Sequence, residues 1–304
     1  MIDRRKFLSL AAAGGGVAFL SGLYGPSGAS SSNADKEGAG KEDTKKVDDF
    51  YFVQMSDSHW GFSGPPNPEA ATTLIKAVDA VNALDQPPDF IVFTGDLTHT
   101  TDDPKERRQR MAEFKDIVSR LKVKPVYFMP GEHDAALDNG SAFKEYFGAT
   151  HYSFDYKGIH FIAIDNVSLP GSRIGDEQLG WLKSDLAGQR PDQRLVIFTH
   201  RPLFDLVPKW DWATRDGNKA MELLTPFEHV VVFYGHIHQE HHHQTGHIMH
   251  HAAKSLIFPL PAPGSQEFRT PLPWNPALPF AGLGVREVNV ANTGLKYDLN
   301  EYPI

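Results

Sequence analysis

Five short apolar runs recur along the chain from residue 50 onward, and each is four to six residues long. They are FYFVQM (50–55), FIVF (90–93), PVYFM (125–129), LVIF (195–198) and VVVFY (230–234). Their length and their content of β-branched and aromatic residues predict strands. Because the runs are apolar throughout rather than alternately polar, both faces of each strand are expected to be buried.

The segments between these runs carry helix signals. Pro68 favours the first helical position of one predicted helix, which ends near residue 84. Asp103 and Pro104 open a second, which ends near residue 121. Asp176 is predicted to cap a third, and Gly188 to end it. Strands that alternate with helices predict an α/β fold in which helices cover the sheet.

Residues that can bind metals or transfer protons follow each of the five runs. They are Asp57, His59, Asp96, Glu132, His133, Asp134, His200, His236 and His238. In α/β folds, ligands bind beyond the carboxyl ends of the strands. One histidine after one strand would not indicate a site. Residues of this kind that follow five strands at one edge of the sheet do predict a site.

The spacing of these residues supports the same interpretation. Asp57 and His59 are two residues apart, as are His236 and His238, so an extended backbone would point the members of each pair the same way. A glycine at position 95 precedes Asp96, and another at 131 precedes the next acidic residue. Glycine permits the tight turns that direct such carboxylates inwards.

The chemistry of the predicted site points to metal ions. The chain has no cysteine, so imidazoles and carboxylates must supply the ligands, which suit zinc, iron and manganese. Several carboxylates that meet three or four imidazoles need compensating cations. Seven ligand-type residues exceed the four of a tetrahedral zinc site, so two metal ions bridged by a shared carboxylate are expected.

The N-terminus is typical of an export signal rather than of a folded element. The segment RRKFL (4–8) and the weakly apolar run behind it resemble a twin-arginine signal over residues 1–34, although Asp3 stands where Ser or Thr is usual. Three glycines interrupt the run, and it falls short of the ~20 apolar residues of a membrane span, which disfavours an anchoring helix. Residues 35–48 are predicted to be a disordered linker.

These N-terminal segments predict the cellular location of the protein. We expect the twin-arginine machinery to export a domain of residues 49–304 to the periplasm or beyond, with no stable membrane span in the mature chain. The net charge of the whole chain is −8, and it becomes −10 without residues 1–34. Such a balance is unfavourable for binding nucleic acid, whose phosphates need a basic surface.

In order and spacing, five motifs resemble the calcineurin-like metallophosphoesterase superfamily. They are DSH (57–59), GD (95–96), GEHD (131–134), TH (199–200) and GHIH (235–238). The segments IAIDNV (162–167) and GDEQLGWLKSDL (175–186) are most similar to the branch that contains bacterial cyclic-nucleotide phosphodiesterases. The resemblance implies a four-layer α/β/β/α sandwich with its metal site at the carboxyl ends of the strands.

The resemblance also implies a role for each motif residue. Two divalent ions, with manganese, iron and zinc as the candidates, would share one bridging carboxylate. The first ion would be held by Asp57, His59 and His238, the bridge would be Asp96, and the second ion would be held by Glu132, His200 and His236. The non-ligand histidine, His133, would protonate the leaving oxygen unless it only supports the site, and Asp134 would orient it.

Glu132 departs from the family pattern, which has Asn at this position. An Asn side chain offers a metal a neutral oxygen and offers phosphate an N–H donor, whereas glutamate offers only charge and acceptors. We expect Glu132 to hold a cation more strongly and to repel an anionic substrate. The alternative is that Glu132 turns away and that water or a hairpin histidine such as His243 completes the second site.

Two segments near the end of the chain leave alternatives open. Six histidines around Thr245 and Gly246 predict a β-hairpin, and they are His241, His242, His243, His247, His250 and His251. They form either a polar hairpin or an accessory contact to metal or phosphate, since adjacent strand residues cannot all reach one ion. The proline-rich residues 259–279 predict a loop around the site, with Trp274 as packing anchor or substrate contact. Residues 283–302 predict a closing hairpin.

The sequence therefore predicts an exported dinuclear phosphoesterase. It would hydrolyse a small phosphorylated substrate, a phosphomonoester or a phosphodiester, by in-line attack of a metal-generated hydroxide. The alternative is a metal- or ligand-binding protein on the same scaffold whose turnover was lost through Glu132. A metallonuclease is disfavoured by the acidic net charge.

Overall fold

The structure, a computed structural model, describes residues 49–291 and 297–304. The predicted export signal (1–34), the linker (35–48) and most of the turn of the closing hairpin lie outside the described residues. Within the part of the chain that is described, no helix combines the length and the apolar content needed to cross a bilayer.

Eleven strands lie within the described residues. In chain order they are β1 (Phe50–Met55), β2 (Phe90–Thr94), β3 (Val126–Met129), β4 (Tyr152–Tyr156), β5 (Ile159–Ala163), β6 (Arg194–Phe198), β7 (His229–Tyr234), β8 (His241–Thr245), β9 (Ile248–Ala252), β10 (Gly284–Val290) and β11 (Tyr297–Pro303). All five apolar runs form strands, as predicted. The predicted histidine hairpin is present as β8 and β9, with residues 246 and 247 at the turn.

Six α-helices accompany the strands in the described residues. They are α1 (Ala70–Asn82), α2 (Pro104–Ser119), α3 (Glu132–Ala135), α4 (Ser141–Phe147), α5 (Asp176–Leu186) and α6 (Gly217–Leu224). Asp103 caps α2 by accepting a hydrogen bond from the Lys105 amide at 2.8 Å. The predicted cap of α5 is wrong by one residue: Gly175 is the N-cap and Asp176 is the first helical residue.

The strands form two sheets whose parallel cores point their carboxyl ends to one edge. One sheet has the order β11-β10-β1-β2-β3 and the other β4-β5-β6-β7-β9-β8. Strands β1, β2 and β3 pair in parallel, and so do β5, β6, β7 and β9. The loops that follow β1, β2, β3, β6 and β7 therefore approach one another at that edge.

Three apolar clusters separate four layers. One lies between the first sheet and helices α1, α2 and α4, and another between the second sheet and helices α5 and α6. The third lies between the sheets and is largely aromatic; Phe52 stacks on Phe90 at 4.8 Å and meets Phe233 edge-on at 5.7 Å. Since both faces of each central strand are covered, the uniform apolar pattern of the runs is explained, and the predicted α/β sandwich is confirmed.

Candidate metal centre

All seven predicted ligand residues meet at the edge where the strands end. Five of them hold a left-handed backbone, with φ of 55° at Asp57, 43° at His59, 50° at Asp96, 66° at His236 and 54° at His238. Side-chain-bearing residues rarely adopt this conformation, which costs free energy and concentrates at functional sites. Contrary to expectation, the backbone at these pairs is therefore not extended. Asp57 and His59 nevertheless contribute to one ligand group, as predicted, whereas His236 and His238 contribute to different groups.

Asp57, His59 and His238 form one ligand group. Their candidate ligand atoms all lie within 4.8 Å of one another. The Nε2 atoms of His59 and His238 are 3.2 Å apart, and His238 Nε2 lies 3.5 Å from Asp57 Oδ1. All three side chains are almost fully buried.

A second group consists of Asp96, Glu132, His200 and His236. Glu132 spans the two rings, with Oε2 at 2.9 Å from His200 Nε2 and Oε1 at 2.8 Å from His236 Nδ1. The hypothesis that Glu132 turns away from the site is therefore wrong. His236 and His238, although two residues apart, belong to different groups because the left-handed backbone at both residues separates the directions of their side chains.

The Asp96 carboxylate lies between the two groups. Its Oδ2 atom is 3.5 Å from His59 Nε2 and 3.3 Å from His200 Nε2. Its other oxygen, Oδ1, accepts a hydrogen bond from the His133 amide at 2.9 Å. One oxygen is thus fixed by the backbone and the other faces both groups of imidazoles.

Backbone carbonyls set the direction of two of the imidazoles. His200 Nδ1 donates to the Thr94 carbonyl at 2.7 Å, and His238 Nδ1 donates to the Phe258 carbonyl at 2.9 Å. In a neutral ring the lone pair then lies on Nε2 and faces the cluster, as in imidazoles that bind metals. Such contacts fix both the tautomer and the ring orientation.

This arrangement fits a cation better than it fits the side chains alone. Among the described residues, three buried atoms of the second group make no hydrogen bond of acceptable geometry: Glu132 Oε2 and His200 Nε2, although these two lie 2.9 Å apart, and His236 Nε2. Burial would lower the pKa of His200, but the carboxylates of Asp96 and Glu132 raise it well above its usual value. The carboxylates around His200 therefore attract positive charge, whereas burial lowers the pKa of His236 to about 4 and keeps that ring neutral. Neutral imidazole and carboxylate are suitable ligands for divalent transition metals.

Two glycines make room for this convergence. A Cβ atom at Gly131 would lie 2.0 Å from Asp96 Oδ1, and one at Gly95 would lie 2.4 Å from His200 Nδ1. Gly95 also has a φ of 94°, a conformation that glycine adopts without steric cost. The GD and GEHD motifs need their glycines because backbone and ligand side chains touch there.

Thr100, rather than Asp134, orients His133. The Thr100 amide donates to His133 Nδ1 at 3.3 Å, and the Thr100 hydroxyl lies 2.7 Å from the same atom. Asp134 instead accepts hydrogen bonds from the hydroxyl of Thr98 and from the amides of residues 97, 98 and 131. Neighbouring helical residues do not face each other, so Asp134 points into the loop scaffold while His133 points to the site.

The contacts of His133 determine where its proton lies. Since Nδ1 accepts from a backbone amide, the neutral ring carries its hydrogen on Nε2. That atom lies 4.0 Å from Asp96 Oδ2, and the side chain is 29% exposed. His133 is thus a partly exposed donor beside the ligand groups.

The site opens into a cavity of about 180 Å³ that includes residues the sequence interpretation missed. His99 stacks on His133 with a centroid distance of 4.9 Å and forms a third potential ligand group with His59 and His133. The exposed Arg269 lines the cavity from the proline-rich loop. The only sequence signal for His99 was its position three residues after Asp96, and Arg269 had none beyond its place in that loop.

The hairpin histidines and Trp274 lie apart from this cavity. Among the described residues that line it, none comes from the segment 241–251. Trp274 lines a separate pocket of about 50 Å³ with Phe258, which also lines the metal-centre cavity. These placements favour the interpretation of Trp274 as a packing residue.

Comparisons with known proteins show what this chain is similar to. A family model described as calcineurin-like phosphoesterase matches residues 50–240. A serine/threonine-protein phosphatase CPPED1 from Danio rerio is 28% identical in an alignment of 217 positions that covers 62% of this chain and 70% of that protein. A probable cyclic nucleotide phosphodiesterase from Rhodococcus erythropolis is 27% identical in an alignment of 200 positions that covers 62% of this chain and 64% of the relative.

The solved structure of a dimetal phosphatase from Danio rerio has a similar fold. It superposes with a TM-score of 0.55 at 15% sequence identity, over 80% of this chain and 93% of that one. At this identity the likeness concerns the arrangement of strands and helices.

Proposed function

Since this chain belongs to the calcineurin-like phosphoesterase family, we propose that it hydrolyses phosphoesters at a centre of two divalent metal ions. The observation that carries the proposal is the position of Asp96, whose Oδ2 atom lies between two groups of buried ligands. Asp57, His59 and His238 would hold one ion. Glu132, His200 and His236 would hold the other, and Asp96 would bind both.

The residues around the two ions supply the rest of the chemistry. Bound divalent ions would neutralise charge on the phosphoryl oxygens and make a water molecule more acidic. His133, with its hydrogen on Nε2, would donate a hydrogen bond to the leaving oxygen and so stabilise the charge that develops there, and Thr100 would keep the ring in this tautomer. Arg269 would attract the anionic substrate into the cavity.

Glu132 favours a phosphodiester over a phosphomonoester. Near neutral pH a diester carries one negative charge and a monoester close to two, so the carboxylate repels the monoester more strongly. Arg201 offsets part of this repulsion, since its Nη1 atom lies 3.6 Å from Glu132 Oε1. We therefore propose a diester as the substrate class.

The experiment compares hydrolysis of bis-p-nitrophenyl phosphate and p-nitrophenyl phosphate by chelator-treated protein resupplied with manganese, iron or zinc. We expect metal-dependent turnover with a preference for the diester. Purified protein should contain about two ions per chain, and Asp96→Asn should lose most of both. One ion per chain, or turnover without metal, would contradict the proposal.

A second candidate is a metal-binding protein without turnover. The observation that favours it is the contact of Glu132 with both His200 and His236, since a strongly held ion is a weaker electrophile. Two bound ions combined with no hydrolysis of either ester would support this candidate and exclude the first.

We also propose that the twin-arginine machinery exports the protein to the periplasm. The support is the sequence RRKFL and the apolar run behind it, which lie outside the described residues. Replacing Arg4 and Arg5 by Lys should retain the precursor in the cytoplasm, as measured by cell fractionation. Unchanged appearance in the periplasm would show another route.

A further inference from the structure

The β8–β9 hairpin carries two histidine pairs on opposite faces. His242 stands opposite His251, and His243 stands opposite His250. Because successive strand residues point to opposite faces, the two pairs lie on different sides of the sheet. His243 stacks on Phe204 with a centroid distance of 3.8 Å. The rings of His242 and His251 lie on the other face of the hairpin.

The rings of His242 and His251 converge through one nitrogen each. Their Nδ1 atoms are 2.7 Å apart, and the ring planes are inclined by 73°. The other nitrogen of His242, Nε2, lies 3.2 Å from Glu240 Oε1. Histidines that bind metals commonly donate their second N–H to a carboxylate, which fixes the tautomer and leaves the first nitrogen free for the ion.

We propose that the Nδ1 atoms of His242 and His251 bind one zinc, copper(II) or nickel(II) ion, with Glu240 as the positioning residue. Imidazole ligands suit these metals, and water completes the coordination. Two nitrogens on a tetrahedral zinc lie about 3.3 Å apart, so the rings separate by about 0.6 Å when the ion enters. Small side-chain rotations are sufficient for this change.

The surroundings allow an ion to enter and the rings to bind it. The side chain of His242 is 45% exposed on β8, the edge strand of its sheet. Burial, His242 and Arg286 lower the pKa of His251 to about 3, so this ring is a neutral ligand in neutral solution. The cation near His251 is Arg286, whose charge is paired with that of Glu301.

This hairpin site is separate from the catalytic centre. Within the described part of the chain, the residues lining the catalytic cavity include neither of the two histidines nor Glu240. The groups of at least three potential ligands found in the described residues also exclude them. Its ion would therefore be additional to those of the centre, and its ligands come from the hairpin alone.

The test is equilibrium dialysis of the full chain against micromolar zinc, followed by elemental analysis. We expect His242→Gln/His251→Gln to bind one ion fewer than wild type, however many ions the catalytic centre holds. Glu240→Gln should retain the ion with about ten- to a hundredfold weaker affinity, because the positioning carboxylate is lost. His243→Gln, on the same strand but the opposite face, is the matched control and should bind as wild type does.

Each other outcome decides against the proposal. Equal zinc content in wild type and the double variant would mean that the two rings form only a hydrogen bond. Loss of the ion in His243→Gln would place it on the other face of the hairpin. If the double variant does not fold, the affinities of Glu240→Gln and His242→Gln decide, and unchanged affinity in both overturns the proposal.

Discussion

At the scale of single residues, Glu132 determines how the centre differs from the family pattern. Glu132→Asn removes a charge that contacts His200 and His236 and restores an N–H donor toward phosphate. We expect weaker metal retention and faster diester turnover. One charge-assisted hydrogen bond contributes roughly 1.5–3 kcal/mol, so the gain is about ten- to a hundredfold. Parallel kinetics and chelator-release rates measure both effects.

The matched control for this variant is Glu222→Asn on the exposed side of α6, which should change neither quantity. If Glu132→Asn left metal release unchanged, Glu132 would not be a ligand. If it slowed turnover while the metal content stayed at the wild-type level, the carboxylate would take part in the chemistry itself.

Thr100 provides a test of how His133 is positioned. Thr100→Val removes the hydroxyl that lies 2.7 Å from His133 Nδ1 but leaves the backbone amide in place. Because one neutral hydrogen bond is lost, we expect kcat to fall about three- to tenfold with unchanged metal content and KM. Thr100→Ser should restore kcat. A fall in metal content would instead indicate that Thr100 supports the ligand groups.

The sequence allowed the members of the two candidate ligand groups to be predicted because motifs in a fixed order occur in the chain. Contacts that depend on three-dimensional placement could not be predicted in the same way. The tautomer of His133 depends on Thr100, which lies 33 positions away. A spacing of two residues likewise does not indicate that the backbone at His236 and His238 is left-handed. The prediction that both side chains point the same way was therefore wrong for this pair.

At the scale of elements, the proline-rich loop contributes Arg269 to the cavity. Arg269→Ala removes a cation from a site with three carboxylates, so we expect kcat/KM to fall about tenfold, mainly through KM. The effect should shrink at high ionic strength because salt screens an exposed charge. Arg190→Ala, at an exposed pair with Asp192, is the control. Equal effects at low and high salt would exclude electrostatic attraction.

Elements with a uniform apolar pattern were the most predictable. Strands β1, β2, β3, β6 and β7 begin and end within one residue of the predicted runs. Both faces of β1, β2, β6 and β7 are buried, whereas β3, at the edge of its sheet, is only partly buried. The four-residue helix α3 carries Glu132 and His133 and gave no periodic signal. Its shape follows from Asp134, which accepts a hydrogen bond from the Gly131 amide at 2.9 Å and so closes the turn.

At the scale of the whole molecule, the two sheets must keep their relative position for each ligand group to form, because each group takes residues from both sheets. The aromatic cluster between them provides most of the contact. At the end opposite the metal centre, Asp89 precedes β2 in the first sheet and accepts a hydrogen bond from Tyr156 in the second at 2.6 Å. The layered architecture could be predicted from the alternation of elements, but this cross-sheet contact could not, since it joins residues 67 positions apart.

Asp89 therefore predicts how stability depends on pH. Burial alone would raise the pKa of Asp89, but hydrogen bonds from Tyr156, Lys157 and the Tyr51 amide outweigh it and lower the pKa below 3.8. A lowered folded-state pKa stabilises the fold above the unfolded value, and the contribution is lost as the pH falls through the folded value. Asp89→Asn should thus destabilise the protein by about 1–2 kcal/mol near pH 7. Urea unfolding from pH 7 to 3 should show this difference constant down to about pH 4.5 and shrinking below it. A difference that stayed constant to pH 3 would mean that the side chain acts through packing rather than through its charge.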